Sequence, residues 1–98
     1  MLYQLLESAT APTAGPAVDF QRAKGPTAVF QVQCDAPEFE VVLEGRVVTE
    51  APWALVVKLK KRDLEQNNSA GRFVSAFPQM RARVVSITGG TLHAWASD

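Results

Sequence analysis

The chain has a single cysteine, Cys34, and a single histidine, His93. One cysteine cannot close a bridge within the chain, so a disulfide scaffold is excluded and nothing argues for an oxidising compartment. One imidazole excludes a His-rich metal site or a pair of catalytic histidines within the chain. An excess of charge of either sign is missing as well. Ten Lys and Arg balance ten Asp and Glu, giving a formal net charge of zero and a pI near 6.6. No global field therefore attracts DNA, RNA or an anionic membrane, and neither nucleic acid nor membrane is an expected partner. No apolar window approaches the roughly 20 residues of a membrane-spanning helix. Residues 1–8 lack the basic-then-apolar order of a secretory signal, so the chain is expected to be soluble and made in the cytosol.

What is present is a short chain with the alternation of a β protein. Ninety-eight residues suit one domain with one core. Phe30, Val32 and Cys34 alternate with Val29, Gln31 and Gln33. Phe39, Val41 and Leu43 alternate with Glu40, Val42 and Glu44, and Leu55, Val57 and Leu59 with Val56, Lys58 and Lys60. Period two is the spacing of strands with one buried face. Residues 72–77, 80–87 and 91–97 are again short, β-branched or aromatic, separated by Pro78 and by Gly89 and Gly90. Residues 88–91 (TGGT) read as a hairpin turn using the positive φ that glycine permits. Asp63 as a cap with Gln66 three residues on allows one helical turn over residues 63–68. The small-residue stretch 8–17 (SATAPTAGPA) reads as a flexible connector behind a first strand at residues 2–7. That strand is free to pair in its own domain or on a neighbouring copy. The expected fold is thus all-β: a small antiparallel β-sandwich, jelly-roll or Ig-like, of seven to eight short strands. Residues 1–17 form its N-terminal strand and arm, and residues 18–98 the sandwich domain.

The residues that could carry chemistry each have a plainer role. Cys34 lies on the apolar face with Phe30 and Val32, where a thiol acts as a small core residue. His93 shares a face with Trp95 and reads as a half-exposed structural histidine. Glu38, Glu40 and Glu44 share one strand face, but a strand face is not the cleft that paired-carboxylate chemistry needs. Lys58, Lys60, Lys61 and Arg62 form the densest basic run, without the interleaved aromatics that stack bases. Trp53 and Trp95 read as core or interface anchors, or alternatively as a sugar platform. No catalytic constellation, metal site or cofactor motif is present, and the chain is not expected to be an enzyme.

The run of segments AVFQV at residues 28–32, FEVVLEG at 39–45, WALVVKL at 53–59, Asp63-Leu64, a glycine-led strand at 71–77 and MRARVVSITGGTLHAWAS at 80–97 resembles small β-sandwich structural proteins in the virions of tailed bacteriophages. In that family the LEG strand is commonly followed by a short Ser/Asp/Gly turn, where this chain has RVVTEAP at residues 46–52. The resemblance implies a virion protein, made in the host cytoplasm, that decorates or cements the capsid. It implies contacts with the major capsid protein and a homo-oligomer, trimer or dimer, on the particle. The alternative within the class is a tail or head-tail connector protein. In another class is a carbohydrate-binding module touching the host surface through Trp53 or Trp95. The contact residues expected are Leu2, Tyr3, Leu5 and Phe20 of the arm, and Lys58, Lys60, Lys61 and Arg62 of the basic run.

Overall fold

A computed structural model describes residues 2–20 and 27–97. Among them are nine strands: β1 (Leu2–Ala9), β2 (Thr13–Ala14), β3 (Val18–Asp19), β4 (Thr27–Cys34), β5 (Glu38–Arg46), β6 (Ala54–Lys60), β7 (Ser69–Ser75), β8 (Gln79–Thr88) and β9 (Leu92–Ser97). They form two antiparallel sheets. The first runs β1-β9-β4-β7, and the second runs β2-β8-β5-β6 with β3 also on β8. The expected class, a small antiparallel β-sandwich, is the one observed.

Alternation builds the core between the sheets. β4 buries Ala28, Phe30, Val32 and Cys34 and turns Thr27, Val29, Gln31 and Gln33 outward. β9 buries Leu92, Ala94 and Ala96, and β8 buries Met80, Ala82 and Val84. Phe30, Leu5, Leu43, Leu59, Met80 and Leu92 are fully buried, each removing apolar surface worth about 1.5–3 kcal/mol from water. The alternation breaks at two bulges. Glu40 faces Ser86 while Val41 faces Val84, so Val85 is the extra residue in β8. Leu43 faces Val57 while Glu44 faces Leu55, so Val56 is extra in β6. The second bulge throws Leu55 onto the solvent side, against the expectation that it packs with Val57 and Leu59, because one added residue inverts the faces beyond it.

The N-terminal segment is not an arm. β1 pairs with β9 of its own domain from Leu2↔Ser97 to Ala9↔Leu92, and Leu5, Leu6 and Ala9 belong to the core. The chain then crosses to the second sheet, where β2 and β3 both pair with β8. A boundary between residues 17 and 18 therefore falls inside one continuous ribbon. The small residues that suggested slack serve a close crossing. The Gly15 N–H donates to the Ala82 carbonyl at 2.8 Å, and a Cβ at Gly15 would collide with the Leu5 carbonyl. Phe20 ends the segment buried, its ring stacked on Tyr3 at 4.5 Å between centroids.

Two local expectations are also corrected. Residues 88–91 do not close a hairpin, since β8 and β9 lie in different sheets. Gly89 and Gly90 do take positive φ, +71° and +72°, but they carry the chain across the sandwich. Alternation fixes which face of each strand is buried and leaves its neighbour open, so two successive strands can equally well face each other across the core. The crossing runs beside that of β4 to β5, where the Thr91 N–H donates to Asp35 Oδ1 at 2.7 Å. In place of a helical turn over residues 63–68 there are two 3₁₀ turns, Lys61–Asp63 and Gln66–Asn68. Asp63 ends the first of them, its Oδ2 accepting the Lys60 N–H at 2.8 Å.

The paired crossings set unequal costs at the two glycines. An alanine at Gly89 has Pro37 Cδ as its nearest neighbour at 3.9 Å, whereas one at Gly90 meets the Ala36 backbone nitrogen at 2.6 Å. Gly89→Ala is expected to cost about 1 kcal/mol from the left-handed backbone alone. Gly90→Ala is expected to cost at least about 2 kcal/mol, because backbone must move as well. Urea midpoints of the two variants measure this, and equal losses would contradict the packing of the two crossings.

Candidate interaction surfaces

The outer face of the second sheet carries a cluster of charged residues from β5, β6 and β8. β5 and β8 set Glu44 opposite Arg81 and Val42 opposite Arg83. Arg81 and Arg83 stand two apart in sequence, so both point to the same side and converge on Glu44. Glu44 Oε1 accepts from Arg81 Nε at 2.9 Å and from Arg83 Nε at 3.3 Å, while Oε2 accepts from Arg83 Nη2 at 3.4 Å. Glu44 is 8% exposed. Burial pushes its carboxyl up, but the hydrogen bonds and positive charges of Arg83 and Arg81 outweigh this and hold it below the usual carboxylate range. The expected solvated acidic face is thus corrected at Glu44, which is a covered ion-pair centre. The indole of Trp53 lies over Arg81 and Arg46, with ring centroid to Cζ distances of 4.5 Å and 4.1 Å. Arg46 Nε donates to Gln79 Oε1 at 2.8 Å. Cation–π contacts of this kind contribute about 0.5–1 kcal/mol each. They dock the β5–β6 loop, whose Val47 and Val48 remain exposed.

The basic run does not form one cationic surface. Lys58 and Lys60 stand on this same sheet and approach Glu40 at 4.0 Å and 3.4 Å, exposed pairs worth about 0–1 kcal/mol. Lys61 and Arg62 lie exposed on the following 3₁₀ turn. With Glu38, Glu40 and Ser86, Lys60, Lys61 and Arg62 line an open depression of about 370 Å³, too mixed in charge to select an anion.

The outer face of the first sheet is different. Register aligns Leu2 with Ser97, Ser97 with Val29, and Val29 with Phe73, so one row crosses all four strands. The next row is Gln4, Trp95, Gln31 and Gly71. Leu2 is 69% exposed, Val29 41% and Phe73 86%. His93 stacks on Trp95 with centroids 5.8 Å apart, as their shared face implied, and its Nδ1 accepts the Ser8 N–H at 3.2 Å.

The expected contact residues are therefore dispersed. Leu2 and Tyr3 lie on edge strand β1, Lys58 and Lys60 on the second sheet, Lys61 and Arg62 on the 3₁₀ turn after it, and Leu5 and Phe20 in the core, where they cannot touch a partner. Trp53 and Trp95 serve opposite faces of the sandwich and form no shared platform. Val29 and Phe73 were not among the candidates. The signal was their alternation with the buried Phe30 and Val74, which puts two large apolar groups on the solvent side. Cys34 is buried in the core, and burial pushes its thiol up, away from the thiolate that nucleophilic chemistry needs. Among the described residues no group of three His, Cys, Asp or Glu is placed to hold a metal ion. No helix among them is long and apolar enough to cross a membrane.

Comparison of the sequence with protein-family models and with curated proteins gives no match. Comparison of the fold with solved structures does. The SPBc2 prophage-derived protein YomS superposes with a TM-score of 0.65 at 15% identity, over 99% of this chain and 90% of YomS. The PBSX exported protein XepA superposes with a TM-score of 0.68 at 19% identity, over 98% of this chain and 36% of XepA. The chain thus has the fold of nearly all of one prophage protein and spans about a third of another.

Proposed function

We propose that this chain is a bacteriophage-encoded structural protein that acts by protein–protein contact and not by catalysis, and that its place is on the capsid as a decoration or cement protein. The observation that carries the reading is the end-to-end fold match to a prophage-derived protein. The surface agrees with it. Leu2, Val29 and Phe73 stand uncovered together on the outer face of the first sheet. A small sandwich with a neutral overall charge can be repeated on a lattice, where many weak contacts add avidity.

A second reading, an exported phage protein outside the particle, is favoured by the likeness to XepA, which is described as exported. Quantitative mass spectrometry of purified particles, with the culture medium measured in parallel, separates the readings. The expected result is a simple ratio of this chain to the major capsid protein. A ratio below about one in thirty would assign it to a ring-forming tail or head-tail connector. Absence from particles with abundance in the medium would replace decoration by export.

A further inference from the structure

We propose that the outer face of the first sheet is a self-association surface on which two copies of this chain pack face to face. The two central rows, Leu2, Ser97, Val29 and Phe73 beside Gln4, Trp95, Gln31 and Gly71, contain no charged residue. An isologous interface sets residue i against j and j against i, and an uncharged face can be covered by a second copy without burying an unpaired charge. Its neutrality suits a second copy, whereas the opposite face, rich in Arg, Lys and Glu, suits a partner of another kind.

Size and shape agree. Four strands at about 4.8 Å spacing and some seven residues at about 3.3 Å give a flat footprint of roughly 440 Å² per copy. Protruding side chains raise the accessible area above that footprint. Two copies then approach the roughly 1,200 Å² at which specific interfaces begin. A two-fold axis parallel to the strands lays β1 of one copy over β7 of the other and β9 over β4. Phe73 of each copy then sits on Leu2 of the other, and Trp95 on Gln31. Packed sheets lie about 10 Å apart with a strand angle near 30°. Phe73, on edge strand β7, is the most exposed of the large apolar residues at 86%, so it gains most from being covered, and buried aromatics are frequent anchors of interfaces. The proposal holds whether the protein acts on a capsid or elsewhere.

Sedimentation equilibrium of the purified chain from micromolar to submillimolar concentration tests it. The expected mass rises from 10.6 kDa to twice that value. Phe73→Asp is expected to weaken the dimer at least about tenfold, while at low micromolar concentration, where both proteins are monomeric, its melting temperature is unchanged, which shows that the variant folds. Val48→Asp, on the β5–β6 loop, is expected to leave the dimer intact. A wild-type chain that stays monomeric throughout overturns the proposal, as does a dimer that survives Phe73→Asp.

Discussion

Leu5→Asp is expected to leave the chain unfolded at 25 °C, while Leu2→Asp, three residues earlier on the same strand, leaves the stability of the dilute monomer within about 0.5 kcal/mol. Leu5 is 0% exposed and packs in the central cluster; Leu2 is 69% exposed. Leu5→Ala alone removes a buried side chain at a cost of about 2–5 kcal/mol. The aspartate adds an unpaired carboxyl to an apolar site, which is dearer still. Small domains have only about 5–15 kcal/mol in all. Circular dichroism with urea titration measures each variant. The comparison separates an integral first strand from a detachable one. If β1 were a loosely held arm, the two positions would respond alike, and equal, small effects would remove β1 from the core.

The misreading of that segment has a definite physical cause. Residues 2–7 read as a strand, but SATAPTAGPA offers no apolar periodicity, and low apolar content alone implies slack. The segment is small because it must be thin: at Gly15 the chain runs against the Leu5 carbonyl, where no Cβ fits. Steric need and absence of structure leave the same compositional trace. The bulge within β1, between Gln4 and Leu6, hides the strand further, since Leu5 and Leu6 are adjacent and both buried. Strict alternation would have placed one of them outside. Where alternation was unbroken, in β4 and β9, the inner and outer residues were legible directly.

Pairing was less legible than burial. Period two assigns faces, yet β8 and β9 share a glycine turn and still belong to different sheets, because the turn spans the core. The charged cluster was legible in part. Arg81 and Arg83 stand two apart and so share a face, but their convergence on Glu44 requires β5 to be the neighbour of β8, which local sequence does not state. The apolar row of the first sheet likewise draws on β1, β9, β4 and β7, four segments far apart in sequence. Side-chain rows across a sheet are products of register. That is why Val29 and Phe73, each unremarkable alone, acquire a meaning only when Leu2 and Ser97 are set beside them.

Glu44 is where that cross-strand arrangement has its largest energetic consequence outside the core. Glu44→Ala is expected to cost about 2–3 kcal/mol, between the range for breaking buried pairs and that for exposed ones. It strips the acceptor from Arg81 and Arg83 and leaves their guanidinium groups facing each other. Arg83→Ala should cost less, since Arg81 still holds Glu44, and the Arg83 side chain is already 40% exposed. The same ion pair sets an acid dependence. The folded-state carboxyl is held below its unfolded value, near about 4.3, so its stabilisation is fully present above that pH and is lost as pH falls through the folded value. Wild-type protein should therefore lose stability on acidification below about pH 5 more steeply than Glu44→Gln, which cannot bind that proton. Urea midpoints across pH 2–7 measure the slopes. Parallel curves for the two proteins would mean that Glu44 is not held ionised by its arginines. A shallower acid slope in Glu44→Gln, together with a lower plateau at neutral pH, would assign the difference to this one carboxylate.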